Sequence, residues 1–301
     1  MMNSAIMVLL LLATADALPQ QTRSSAPDPD SKPDSSATLF ALLPPNEKGQ
    51  SLAILDPVVI LKSGRFLPPP EYNYNHQKES DALYAHFDKR FYSPGKQYDL
   101  FVGGSGHGTV TVVKPTNLGC VSLVATARPV PSLPRKQMAL SASSLIGMRL
   151  HANWRTSVTE EQRSSMARIA TDYLKQKGVT VPAATVKLTN IVATKLGVSE
   201  TESIIASISV KRPKIVHNLF IVATYVDGRY TPMFISPHVT KDVEDYTDNV
   251  EESLVDQLDI DGDGVDELVT ISRYYESWNY TIYKRQHGTW QKVYSGGGGG
   301  C

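Results

Sequence analysis

Three aspartates alternate at Asp259, Asp261 and Asp263. Gly264 follows, and after Glu267 the chain runs straight into Leu268-Val269-Thr270-Ile271. Carboxylates spaced by two with a glycine at the sixth position form a sharply bent loop whose oxygens point inward, a set suited to a hard cation that takes about six to eight oxygen ligands. The side chains of Asp259, Asp261, Asp263 and Glu267, with the backbone carbonyl of Val265, are the candidate ligands, and Ca2+ is the natural occupant. An EF-hand would place a glutamate at the twelfth position and continue as a helix. Thr270 stands there, inside a β-prone run. The loop therefore enters a strand, and it is not an EF-hand.

The residues Asp259-Ile260-Asp261-Gly262-Asp263-Gly264-Val265-Asp266-Glu267-Leu268-Val269 resemble the FG-GAP/VCBS repeat, the calcium-loop unit of integrin-type β-propellers. The resemblance covers about 40 residues. It implies a β-meander, with Asp259, Asp261, Asp263 and Glu267 as side-chain ligands and the ion bracing a strand connection. Glu267 stands where that family more often has aspartate. A partial copy is visible upstream: Leu196, Glu202-Ser203-Ile204-Ile205 and Asp227-Gly228-Arg229-Tyr230 run parallel to Leu258, Asp266-Glu267-Leu268-Val269 and His287-Gly288-Thr289-Trp290. Two unrelated meanders would give the same likeness. The upstream copy has Gly197-Val198-Ser199-Glu200 in place of the carboxylates, and the chain is too short for a seven-bladed propeller, so the family's whole fold is not implied.

Other segments read as an α+β protein, β-dominated, with antiparallel sheets and a few helices. Met1 to Ala17 has an apolar stretch and ends Ala15-Asp16-Ala17, as an export signal does; an N-terminal helix kept in the protein is the alternative. Residues 18–50 begin polar and proline-rich and read as a disordered or extended linker. Residues 51–136 read as a small β-rich domain with one helix near Ser80–Phe91, and residues 137–301 as a second, α+β domain containing the acidic loop. Its first helix is marked by Thr159 three residues before Gln162, a capping box, and by Met166, Ile169, Ala170, Tyr173 and Leu174 on one face.

Thirty basic and thirty acidic side chains cancel without a basic cluster, which argues against nucleic acid as a partner. No stretch is apolar for long enough to span a bilayer permanently. With an export signal, the expected location is secreted or periplasmic. Cys120 and Cys301 exclude a cysteine-based zinc site; in an oxidising compartment they pair as one disulfide or stay as two free thiols. The bridge would also pin Gly296 to Gly300. Gly103-Gly104-Ser105-Gly106-His107-Gly108 fits neither GxSxG nor GxGxxG and reads as a glycine-rich hairpin.

Tyr274, Tyr275, Trp278, Tyr280, Tyr283, Trp290 and Tyr294 either pack a core or present a face to an extracellular protein or carbohydrate. The functional expectation is a secreted calcium-binding structural or interaction module. The rival is a secreted hydrolase whose catalytic residues meet only in the fold.

Overall fold

A short strand with no polar face organises the molecule. In the computed structural model, which describes residues 36–44, 52–118, 123–134, 136–198, 200–241 and 249–300, strand β1 (Ser36–Leu43) has every residue from Ala37 to Leu42 buried. Phe40 and Leu42 point into one apolar cluster and Ala37, Leu39 and Ala41 into another, as the two-residue period of a strand requires. β1 pairs on one side with β2 (Ala53–Lys62) and on the other with β7 (Ala139–Ala142). The remaining strands are β3 (Arg65–Leu67), β4 (Gln97–Val102), β5 (Ser105–Thr116) and β6 (Val124–Val130). Hydrogen bonding runs β1-β7-β4-β5-β6-β2 and returns to β1, with every pair antiparallel. The result is a closed six-stranded barrel, with β3 appended to β2. Helix α1 (Gln77–Phe91) fills the barrel interior with Phe87 and Phe91, and Phe40 stacks on Tyr98 beneath them at 5.2 Å.

Two further sheets are simple meanders. One has β8 (Val186–Lys195), β9 (Glu202–Arg212), β10 (Ile215–Val226) and β11 (Arg229–Lys241); the other has β12 (Glu251–Leu258), β13 (Glu267–Arg273), β14 (Ser277–Gln286) and β15 (Thr289–Gly300). Helix α2 (Glu160–Gln176), capped by Thr159 and Gln162 in the expected box, lays Met166, Ile169, Ala170 and Leu174 on Ile204, Ala206, Leu219 and Ile221. The opposite face of that sheet, with Ile205, Phe220 and Val222, meets Leu254, Leu268, Tyr283 and Trp290. On the other side of β12–β15, Val255, Val269, Ile271, Tyr280 and Ile282 meet the outward residues of β1, β2 and β7. The order of layers is helix, sheet, sheet, barrel.

Several expectations change. The stretch read as linker to residue 50 contains β1, a strand buried from Ala37 to Leu42, and the boundary expected after residue 136 would cut off β7, which closes the barrel. Residues 35–301 form one compact unit. Residues 1–35, and with them the export signal, lie outside the described residues, as do Cys120 and Cys301. Among the described residues no helix is long and apolar enough to cross a membrane. The aromatic run is mostly core: Tyr280, Tyr283, Trp290 and Tyr294 are buried on the two faces of β12–β15, leaving Tyr274 and Tyr275 exposed.

The glycine run at the end of β15 has a packing reason for its order. It pairs with Ser277 and Trp278 of β14, and at Gly298, φ +88°, a Cβ would overlap the Trp278 carbonyl oxygen. Gly298→Ala is expected to cost about 2–4 kcal/mol, overlap added to left-handed strain. Gly228, φ +78° with nothing within 4 Å of a Cβ, carries the strain alone, so Gly228→Ala should cost about 1 kcal/mol. Equal costs in urea denaturation would mean that the glycine run is not seated against β14.

Candidate metal centre

The two segments that run parallel in sequence occupy equivalent places. Each lies in a four-stranded meander, begins at the connection between its first and second strands, and turns between its third and fourth through two left-handed residues: Asp227 and Gly228 (φ 49° and 78°), and His287 and Gly288 (φ 50° and 80°). The two first connections touch: Gly197 bridges Val265, and the Asp266 N–H donates to the Leu196 carbonyl at 2.9 Å. The acidic loop therefore lies between two sheets. A third segment reaches it, the strap of residues 143–159 joining β7 to α2, whose Arg149 N–H donates to the Asp259 carbonyl at 2.8 Å.

Inside the loop, Asp259 is buried and turns the backbone: its two carboxylate oxygens accept the N–H groups of Gly262 and Gly264 at 2.7 and 2.8 Å. Asp263 accepts the Val265 N–H at 2.9 Å. Glu267, also buried, accepts the Ile260 N–H at 2.7 Å, closing the loop's two ends. One oxygen each from Asp259, Asp261 and Glu267 lies within 4.8 Å of the others, the span that two ligands on opposite sides of a calcium ion would have. This all-oxygen set fits a hard divalent cation.

A basic side chain that no sequence pattern marks lies among these oxygens. Lys284 of β14 bonds Asp261 and approaches Asp263 at 2.8 Å and Glu267 at 3.5 Å. Burial works against its charge, but Asp261 and Asp263 outweigh it and raise its pKa. Asp263 is pushed up by burial, and more strongly down by Lys284 and the Val265 N–H. Burial and the nearby Asp261 push Glu267 up to about 8 despite the Ile260 N–H and Lys284. The loop carries more carboxylate than its lysine neutralises.

Behind the loop, two ion pairs bind the strap. Asp266 faces His151 Nε2 at 2.7 and 2.8 Å, while His151 Nδ1 lies 2.7 Å from the Ala152 carbonyl. Both partners offer acceptor oxygens, an arrangement that favours the imidazolium form, in which both ring nitrogens donate. Burial opposes that charge, and the bond to Asp266 outweighs it, raising the pKa. The ring stacks on Trp154 at 4.3 Å, a favourable seat for a cation. The glycine hairpin makes room for it: at Gly104, φ +75°, a Cβ would overlap the imidazole. Asp256, fully buried, accepts Arg155 Nη2 at 2.6 Å and the Gly103 N–H at 3.0 and 3.1 Å. Barrel, strap and both sheets are thus joined within a few residues of the acidic loop.

A serine, a histidine and a carboxylate also meet elsewhere. Ser236 Oγ and Glu252 Oε2 both approach Nε2 of His238, at 3.4 and 3.2 Å. A relay needs the acid and the hydroxyl on opposite ring nitrogens, so this arrangement is not a hydrolytic triad. Compared with family models, with curated proteins and with solved structures, the chain matches none.

Proposed function

We propose that this chain is an exported structural or interaction module in which calcium, held by Asp259, Asp261, Asp263 and Glu267, braces the junction of the two meanders and the strap. The observation that carries the reading is the convergence of one oxygen each from Asp259, Asp261 and Glu267 within 4.8 Å, in a loop bonded to both neighbours. The resemblance of the loop to FG-GAP units, and its position between the first two strands of a four-stranded meander, support the same assignment. When bound, the ion supplies positive charge to a carboxylate set that otherwise repels itself. Lys284 must then swing away from the oxygens that it bonds. At free calcium ten times the dissociation constant, linkage gives about 1.4 kcal/mol of added stability.

One observation favours a second reading. The Lys284 ammonium already touches three carboxylates and can serve as the loop's own tethered cation. Calorimetry and thermal melting with calcium separate the two, using wild type, Lys284→Gln, and Asp261→Ala with Asp263→Ala. If calcium is the brace, wild type binds one ion and melts higher, the double variant does neither, and Lys284→Gln binds several-fold tighter because its competitor is gone. If wild type ignores calcium and Lys284→Gln melts lower, lysine is the brace and the calcium reading falls.

A further inference from the structure

Each meander has two outer strands, β8 and β11 in one and β12 and β15 in the other. An unpaired strand edge offers its N–H and C=O groups to any other strand, and proteins usually close such edges. Three of these four are closed. β11 contains Pro232 and Pro237, which have no N–H to give, and its pairing slips around Met233. β12 is buried from Glu252 to Leu258, and its Leu254 carbonyl accepts Asn190 Nδ2 at 3.3 Å. β15 lies on β2, where a Cβ at Gly297 would overlap the Pro57 and Val58 carbonyl oxygens.

β8 is closed at one end only. There the strap pairs with it: the Thr156 N–H donates to the Ala193 carbonyl at 3.0 Å in an antiparallel bridge. Ala193 therefore turns its backbone away from β9, and by the alternation of an antiparallel ladder Ile191 does the same. The strap then leaves to form α2. From Val186 to Val192, among the described residues, no backbone group outside β9 pairs with β8. The apolar cover also runs out here: Val186, Leu188, Ile191 and Val192 are half-buried, whereas Ile205 and Ile208 beside them on β9 are buried. A hollow of about 310 Å³ lies along the open stretch, walled by Ile191, Val192, Leu254, Val255 and Met138.

We propose that β8 accepts a short extended peptide as a fifth strand, continuing the line that the strap leaves at Thr156, with an aliphatic side chain of the peptide in the hollow against Val192, Leu254 and Val255. A row of alternating donors and acceptors is matched by another extended backbone, and the pockets beside it select the side chains. A second copy of β8 fits less well. Pairing slips at Thr189 and Lys187 is exposed, so self-pairing would set each bulge and each lysine near its twin. The edge is separate from the acidic loop and does not depend on what occupies that loop.

The test follows the Ile191 N–H by nuclear magnetic resonance and hydrogen exchange, in EDTA so that the calcium assignment has no bearing on the result. The probe is acetyl-Thr-Val-Thr-Val-Thr-amide. Two analogues, methylated on one or the other alternate set of amide nitrogens, are the controls. The expected result is a saturable shift of the Ile191 signal and, with peptide at ten times its dissociation constant, about tenfold slower exchange. The analogue whose methyl groups face β8 loses the effect and the other keeps it. The proposal is overturned if the parent peptide leaves Ile191 unchanged or if the two analogues behave alike. It is also overturned if Ile191 in the protein alone becomes protected as protein concentration rises, because a second copy then holds the edge.

Discussion

Asp256→Ala is expected to cost about 3–5 kcal/mol of folding stability, the range for removing one partner of a buried ion pair. Burial pushes Asp256 up to about 6 even though Arg155 and the N–H groups of Gln257 and Gly103 pull it down, so at neutral pH it is ionised at a considerable desolvation cost. The loss in the variant therefore comes mainly from what is stranded. Arg155 Nη2 and the Gly103 N–H lose their acceptor at a position where the Asp256 side chain is fully buried. Arg155→Ala should be costly as well, and the double variant should cost clearly less than the sum, because the second change removes the charge that the first leaves unpaired. Urea denaturation of the three variants measures this coupling. Additive costs, or a loss below about 1 kcal/mol for Asp256→Ala, would show that the strap is not anchored here.

The same ion pair marks the limit of what the sequence discloses. Arg155 and Asp256 are 101 positions apart and His151 and Asp266 are 115 apart, and neither pair has a local pattern. Lys284 is similarly hidden: it lies in β14, 23 positions from Asp261. The acidic loop was legible because all its carboxylates lie within nine consecutive residues and the β-prone run from Leu268 marks the strand that the loop enters. The capping box of α2 was legible for the same local reason, since Thr159 and Gln162 need only each other.

The barrel was not legible, and β1 shows why. Ala37 to Leu42 is buried on both faces, so it lacks the alternation that identifies a half-exposed strand, and it comes after a proline-rich stretch that reads as linker. β7 is only four residues long and finds its place by pairing with β1 and β4, nearly 100 and 40 positions upstream. The aromatic run did contain its answer. Tyr280 and Ile282 alternate with Thr281 and Tyr283 in β14, so apolar side chains fall on both faces of one strand, the pattern of a sheet covered on each side.

Coverage on both sides also sets the second large effect, at Asp56 of β2, where the barrel wall meets β14. Asp56 is fully buried; its Oδ2 accepts the Trp278 indole N–H at 2.5 Å and the Tyr280 hydroxyl at 2.6 Å, while Oδ1 has no partner. Burial lifts its pKa from 3.8 to about 7, and the two hydrogen bonds offset only part of that. The sign comes from the raised value. Well below the ordinary value of 3.8 the carboxyl is protonated in both states and carries no penalty. As pH rises from there to about 7, the unfolded chain ionises while the folded chain holds its proton, so stability falls, levelling off once both states are ionised. A difference of about three pKa units corresponds to roughly 4 kcal/mol. Asp56→Asn keeps an acceptor for Trp278 and Tyr280 and cannot ionise. It is expected to match wild type near pH 3 and to exceed it by up to about 4 kcal/mol at pH 8. Subtracting the two stability curves cancels every other titrating group, including Glu267, and isolates Asp56. Parallel curves, or an asparagine variant less stable than wild type at pH 8, would show that Asp56 is ionised in the folded protein at all of these pH values. In that case the joint between barrel and sheet is held by a charged carboxylate bonded to Trp278 and Tyr280, and not by a protonated one.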